Sequence, residues 1–339
     1  MTTVALDAMG ADRGVKVTTE GARIAAADGI EVLLVGSPEL AETAEDIDGV
    51  RHILASQTVG NTSDPVRAVR SAPDASIVRA CAEVAEGRAH AVVSASSTGA
   101  TLAASTFALR RLPGVQRPAL AVQLPVPGHP VLFLDAGANA EARPGHLVQF
   151  ASMGTAFAQA VLDVENPRVG LLSVGEEAGK GTPTVIEAHR VLSDAPGIDF
   201  HGNVEGTDLT TGTVDVIVTD GFTGNVTLKT MEGTARVVGQ AVRDAARANP
   251  LSAAGGLLMR PALGSLRRDL DPDTTGGALL LGLRAPAVVC HGSAGPEGIA
   301  NAIRLAERTV ASGAVERTAE LLARSGSTRA ALRDRQEVR

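Results

Sequence analysis

The chain is 339 residues long, 44% hydrophobic and 20% charged; this excludes a disordered or fibrous protein and allows a large buried core. Its formal net charge is −7, and aromatic residues make up 2%, with neither Trp nor Tyr. Nucleic acids are held by a basic face and by rings that stack on unpaired bases, so a nucleic-acid partner is not expected. Cys81 and Cys290 lie far apart without CxxC or Cys/His spacing, which supports neither a structural metal nor a disulfide scaffold. The start, MTTVALDAMGADRG, lacks the basic and apolar stretches of a secretion signal. The longest charge-free stretch, 89–109, holds too many Ser and Thr for a membrane span. A soluble, cytoplasmic protein is expected.

Short β-branched runs alternate with longer helical patterns, the mark of βα units around a largely parallel sheet. In chain order the predicted strands are TVALDA near Val4, EVLLVG at 31–36, RHILAS at 51–56 and AVVSAS at 91–96. PALAVQLPV, PVLFLDAG, RVGLLSVG, VDVIVTDG and PAVVCHG follow. These runs are almost continuously apolar, as strands covered on both faces are. Spacings of three and four predict helices over 77–85 and 147–162. PVLFLDAG follows PALAVQLPV across only Pro127, Gly128 and His129, too few residues for a parallel crossover. The expected fold is therefore α/β, three layers with a mostly parallel but mixed sheet. The expected organisation is one domain over 1–325, with a helical hairpin insertion near 249–271 and a charged, frayed tail over 326–339.

Most predicted strands run into small, glycine-containing loops: after Leu6, Val93, Leu134, Val174, Val218 and Val289. Ligands of open α/β sheets bind where such carboxyl-terminal loops converge, so one shared site is expected. Several familiar motifs fail. No GxGxxG follows the first strand, and GEEAGKGT at 175–182 misses the P-loop spacing and places Gly181 where a magnesium-binding hydroxyl belongs. Ser293 in HGSAG has no nucleophile-elbow pattern. Asp135, Asp220, Glu176 and Glu177 show no clustered metal spacing and read as loop or helix-start residues. Of the histidines, His52, His90, His129, His189 and His201 read as structural or surface residues, and His146 falls in a first helical turn. His291, at a strand end, is the one placed for chemistry.

Read in order, ALDAMGAD at 5–12, STGA at 97–100, RLPGVQRPALA at 111–121, LDAGAN at 134–139 and HLVQFASMG at 146–154 form a pattern. NPRVGLLSVGEEAGKG at 166–181, GNVEGTDL at 202–209 and DGFTGNVTLKTMEG at 220–233 extend it. Together they resemble the PlsX-type phosphate acyltransferase family from Ala5 to about Ala311. The resemblance implies an isocitrate/isopropylmalate dehydrogenase-like and phosphotransacetylase-like architecture and a homodimer. It implies transfer of a fatty acyl group from acyl carrier protein to inorganic phosphate, with the acyl phosphate supplying phospholipid synthesis, and no cofactor or metal. On this reading Ser97, Thr98 and Gly99 at a helix start, with Lys180, Asn225 and Lys229, cradle the anion. Asp7, Asp135 and Asp220 orient those donors or accept a proton, and Gly10, Asn139 and Gly181 complete the phosphate loops. Alternatives are phosphotransacetylase-like transfer from a short acyl-CoA and a weakened, carrier-binding scaffold. A NAD-dependent dehydrogenase of the same architecture would need a metal-binding aspartate group and a nucleotide site, neither of which is found.

The chain departs from the family pattern at Ala11, Arg13, Ser96-Ser97 and AVRSAPDAS over 68–76, and Arg13 or Arg70 is expected to restore positive charge. In NPLSAAGGLLMRPALGSLRRDLD at 249–271, Gly255-Gly256 and Pro261 are expected to break the helix into two short amphipathic pieces. Leu257, Leu258 and Met259 then form an apolar tip flanked by Arg260, Arg267 and Arg268, suited to a peripheral membrane contact or to the acidic carrier. Packing of this hairpin on the protein's own core or across a dimer is the alternative.

Overall fold

Thr3–Asp7, an unbroken run of buried residues, forms the first strand and sends successive side chains to opposite faces of the sheet. Val4 and Leu6 join one core, Ala5 the other. The computed structural model describes residues 1–124, 126, 129–269 and 272–337, with side chains at all of these except 262, 263, 265–269, 272, 273 and 334–337. The first half contains β1 (Thr3–Asp7), α1 (Val15–Ala27), β2 (Glu31–Gly36), α2 (Leu40–Glu45), β3 (Val50–Leu54), α3 (Pro65–Ser71), α4 (Ser76–Ala85), β4 (Ala91–Ser94), α5 (Thr98–Leu109), β5 (Ala119–Leu124), β6 (Val131–Leu134) and α6 (Pro144–Val161). The second contains β7 (Arg168–Leu172), α7 (Pro183–Leu192), β8 (Asp199–Val204), β9 (Val216–Val218), α8 (Gly221–Arg247), α9 (Pro250–Asp269), α10 (Pro272–Thr275), β10 (Ala278–Leu281), β11 (Ala287–Val289), α11 (Pro296–Ala311), α12 (Ala314–Arg324) and α13 (Arg329–Glu337).

Among the described residues the strands form one 11-stranded sheet in the order β3-β2-β1-β4-β11-β10-β5-β6-β9-β7-β8. The layered α/β fold and the mixed sheet are as expected, and the short link after β5 does give an antiparallel pair, with Ala121 opposite Leu134. Two strands escaped the sequence reading. β8, DFHGNV, is an edge strand whose first residues face solvent, so it lacks the apolar run of a covered strand. β10, ALLL, is only four residues long and cannot be told from a buried helical turn by periodicity. β10 pairs antiparallel with both β11 and β5.

One core lies beneath α1, α6, α11 and α12 and the other beneath α3, α4, α5 and the first turns of α8. Two sequence expectations need correction. α9 is continuous through Pro261, where two broken pieces were expected. Pro261 has no N–H for the carbonyl four residues earlier, that of Leu257; Leu257 is exposed, so water can satisfy that oxygen. The tail expected to fray after Gly326 instead carries α13. Leu332 is buried in the first core, and Ser327 O accepts a hydrogen bond from Gln149 Nε2 at 2.7 Å. One large apolar residue, Leu332, between two alanines and a run of charges gives no periodic signal.

Candidate active site

β10 runs opposite to both its neighbours, so β5 keeps the direction of β11, and the antiparallel step from β5 to β6 divides the expected site. β1, β4 and β11 run one way and β6, β7 and β9 the other, so their carboxyl ends lie on opposite edges of the sheet. Asp7, Gly10, Ser97, Thr98, Gly99 and His291 stand at the first edge; Asp135, Asn139, Lys180, Gly181, Asp220, Asn225 and Lys229 stand at the second. No described hydrogen bond or ion pair joins the two groups. Convergence of all the loops on one site, expected from the sequence, is thus corrected.

At the first edge the carboxylate of Asp7, fully buried, accepts hydrogen bonds from Ser94 Oγ (2.8 Å) and Ser96 Oγ (2.6 Å). Thr101 Oγ1 donates onward to Ser94 Oγ at 3.3 Å. Asp7 therefore fastens the loop after β4 to that after β1 and is spent inside the protein. Gly10 is required by the same contact, because a Cβ there would lie 2.0 Å from Ser96 Oγ. Ser97 is the N-cap of α5 and accepts from Ala100 N; Thr98 is the first helical residue; Gly99 abuts Pro65. The charge expected from Arg13 or Arg70 does not gather here. Arg13 is exposed, and the Arg70 guanidinium sits 4.8 Å from the centre of the Phe107 ring, far along α5. His291 Nδ1 lies 2.7 Å from Ser293 Oγ, an exposed pair.

The second edge is more tightly built. The buried Asp135 carboxylate accepts from the backbone N–H groups of Leu120 (3.0 Å), Gly137 (3.1 Å), Ala138 (2.8 Å) and Asn139 (2.8 Å), and from Asn139 Nδ2 (2.8 Å). Burial pushes this carboxyl above the usual range, and the donated hydrogen bonds pull it back down. Asn139 Nδ2 also donates to Pro118 O (2.7 Å), while Asn139 O accepts from Gly221 N (2.8 Å). Both residues hold the loop together. Asp220, expected in the chemistry, caps α8: its oxygens accept from Thr223 N (2.9 Å) and Thr223 Oγ1 (2.7 Å). The start of α8 presses on the Asp135 loop so closely that a Cβ on Gly224 would lie 1.9 Å from Asp135 O. Gly137, at φ 138, comes within 3.4 Å of Asn225 Oδ1 measured from its own Cβ position. Asn225 is exposed and has no hydrogen-bonded partner among the described residues.

Lys180 lies on the loop after β7, the strand beside β9. It is exposed and makes no ion pair among the described residues. Gly181, at φ 105, turns the chain into α7. Lys229 stands one turn beyond Asn225, as its spacing implied, but it pairs with Glu232 at 2.9 Å. Sequence reasoning assigned no role to Asn203, although GNVEGTDL contains it. Asn203 is buried; its Nδ2 donates to Glu177 O at 2.8 Å and its Oδ1 lies 3.0 Å from His189 Nδ1. It ties the loop carrying Lys180 to β8. Among the described residues no group of three His, Cys, Asp or Glu side chains gathers as a metal site would.

The chain matches the family model described as "Fatty acid synthesis protein" over residues 2–317. It is 44% identical over 319 residues to the phosphate acyltransferase of Elusimicrobium minutum, covering 92% of this chain and 93% of that protein. The chain belongs to the phosphate acyltransferase family. It is accordingly an enzyme of the acyltransferase class, tied to fatty acid synthesis by its family. The phosphate acyltransferase of Bacillus subtilis is 41% identical over 312 residues, covering 91% of this chain and 94% of that one. Among solved structures, a phosphotransacetylase from Streptococcus pyogenes shares the fold, with TM-score 0.61 at 17% identity over 93% of this chain and 94% of that chain.

In this phosphate acyltransferase, α8 packs against α9, and the segment 249–271, expected to form a hairpin of two short pieces, is instead the single helix α9 as far as Asp269. Leu257, Leu258, Met259 and Arg260 are exposed, with Leu258 at 83%. The side chains of Arg267 and Arg268 lie outside the described residues. No helix among the described residues is long and apolar enough to cross a membrane.

Proposed function

We propose that the second edge of the sheet transfers a fatty acyl group from acyl carrier protein to inorganic phosphate. The observation carrying this reading is the Asp135 cluster, which fixes Gly137–Asn139 against the start of α8 with Asn225 beside it; Lys180, on the loop after β7 at the same edge, makes no ion pair among the described residues. The protein's task is to hold phosphate next to the thioester carbonyl, which replaces a bimolecular encounter by a positioned one. A phosphate oxygen adds to the carbonyl carbon; the Lys180 ammonium and Asn225 amide stabilise the oxyanion that develops. The C–S bond then breaks. Hydrogen phosphate brings one proton, which ends on the carrier thiol, leaving acyl phosphate. No nucleophilic side chain is required by this balance.

The deciding experiment incubates purified protein with long-chain acyl carrier protein, with and without phosphate, and follows carrier thiol and acyl phosphate by mass spectrometry. Phosphate-dependent formation of both supports the reading. Turnover of short acyl-CoA alone would replace it with a phosphotransacetylase-like activity, and carrier binding without turnover would leave a scaffold.

The setting proposed is cytoplasmic, as a homodimer in peripheral contact with membrane. Phe222, Val226, Val237, Val238 and Val242 leave exposed apolar side chains along α8 for a second copy, and the exposed Leu257–Met259 run in α9 with Arg260 suits anionic headgroups.

A further inference from the structure

The sequence reading passed over RLPGVQRPALA as a mere piece of the family pattern, yet its second arginine is held at the second edge by both of its neighbours. Gln149, fully buried on α6, accepts from Gln116 N through Oε1 (2.8 Å) and donates through Nε2 to Gly114 O (2.7 Å). On the other side Pro118 O accepts from Asn139 Nδ2 (2.7 Å), and Leu120 N donates to Asp135 at 3.0 Å. Arg117 therefore has a fixed backbone and an exposed guanidinium with no ion pair among the described residues. Asn139 links this segment to the start of α8 through its bond from Gly221 N at 2.8 Å.

The start of α6 faces the same place. Arg143, its N-cap residue, is exposed and makes no ion pair among the described residues. Its backbone N donates to His146 Nδ1 at 3.2 Å. Since Nδ1 accepts, the ring proton sits on Nε2. His146 is only 8% exposed, and its Nε2 has no partner among the described residues. Burial and the positive charges of Arg117 and Arg143 hold the imidazole below its usual pKa, so it is neutral at pH 7 and donates from Nε2. Glu141, two residues before Arg143, is exposed and pairs with neither arginine among the described residues. Two cations, one neutral donor and the N-terminal end of an 18-residue helix thus meet with no acidic partner among the described residues.

We propose that Arg117, Arg143 and the Nε2–H of His146 receive inorganic phosphate. This deepens the acyl-transfer reading and rests on it: two phosphate oxygens are held by the guanidinium groups and His146, leaving another to attack the thioester near Asn225. Arg117, with its planar fork, takes the anion in a bidentate manner.

The test begins without acyl substrate. The Cε1–H signal of His146, assigned by its loss in His146→Gln, is followed by NMR as inorganic phosphate is added. A saturable shift in the wild type, lost in Arg117→Gln, is expected. With long-chain acyl carrier protein, Arg117→Gln should raise the phosphate KM at least about tenfold with little change in kcat, and Arg117→Lys should recover only part of it. Arg117 is exposed, so the variant should melt with the wild type. An unmoved His146 signal in the wild type, or an unchanged phosphate KM in Arg117→Gln, overturns the proposal. A protein that binds phosphate at His146 but makes no acyl phosphate would refute the acyl-transfer reading alone.

Discussion

The Asn203 side-chain amide donates to Glu177 O at 2.8 Å while its oxygen faces His189 Nδ1 at 3.0 Å, joining β8, α7 and the Lys180 loop in one part-buried contact. His189 must donate from Nδ1, because the Asn203 oxygen can only accept. Asn203→Ala leaves the Glu177 carbonyl and the His189 imidazole without their partner and should cost about 0.5–1.5 kcal/mol of stability. Misplacing Lys180 by about 1 Å should lower kcat by up to about 100-fold. Urea unfolding with steady-state kinetics checks both; loss of stability with kcat intact would show that the contact does not position Lys180.

Lys180 and Lys229 should separate in activity. Lys180 makes no ion pair among the described residues, whereas Lys229 is neutralised by Glu232 at 2.9 Å. Lys180→Ala should lower kcat about 100-fold or more, the scale of losing one oxyanion donor. Lys229→Ala should lower it far less. Equal losses would place Lys229 in the reacting centre and require its pair with Glu232 to open.

Two glycines of α8 should respond with opposite sign. Glycine to alanine inside a helix ordinarily stabilises by about 1 kcal/mol. At Gly233 an added Cβ meets nothing within 4 Å, so Gly233→Ala should raise the melting temperature. At Gly224 the Cβ would lie 1.9 Å from Asp135 O, and Gly224→Ala should destabilise by about 1–3 kcal/mol and lower activity. Thermal melts of the two variants decide it; a stabilised Gly224→Ala would mean the Asp135 loop is not held against α8.

The exposed apolar run Leu257–Met259 in the middle of α9 predicts membrane binding. Leu258→Glu places a charge on a side chain 83% exposed, so it should leave the fold intact. It should reduce flotation with anionic liposomes. Undiminished flotation would exclude this run as the membrane contact.

His146 predicts a pH dependence of stability. Its folded-state pKa is lowered, chiefly by burial and then by Arg117 and Arg143. As pH falls through about 6.5 the unfolded chain takes up a proton that the folded one refuses. Stability is therefore lost below about pH 6.5, until the folded-state pKa is also passed. His146→Gln should flatten this fall, as measured by urea unfolding at pH 7.5 and 5.5. Parallel slopes would show that the ring is not held neutral.

Much of this was legible locally. Apolar runs such as EVLLVG mark β2 to the residue, and three residues between PALAVQLPV and PVLFLDAG force β5 and β6 to run antiparallel. The family pattern rests on loop residues in order, which needs no fold at all. Sequence also marked the spacing of Asn225 and Lys229 and the apolar run Leu257–Met259, though that run lies inside α9 rather than at a tip. It did not reveal that Lys229 is spent on Glu232, because a side chain's partner is chosen among neighbours by conformation.

What only the tertiary structure decided is which loops share an edge. A strand's direction in a sheet follows from its long-range partners, and β10, too short to announce itself, reverses between β11 and β5. β5 thereby keeps the direction of β11, and the antiparallel step from β5 to β6 separates Asp7 and Ser97 from Asp135 and Asn225. The buried contacts that build each edge also join residues distant in the chain: Asp7 with Ser94, Gln116 with Gln149 and Asn139 with Pro118. Periodicity reports the burial of single residues. The pairing of polar groups, which each must satisfy once water is excluded, is set only when the chain has folded.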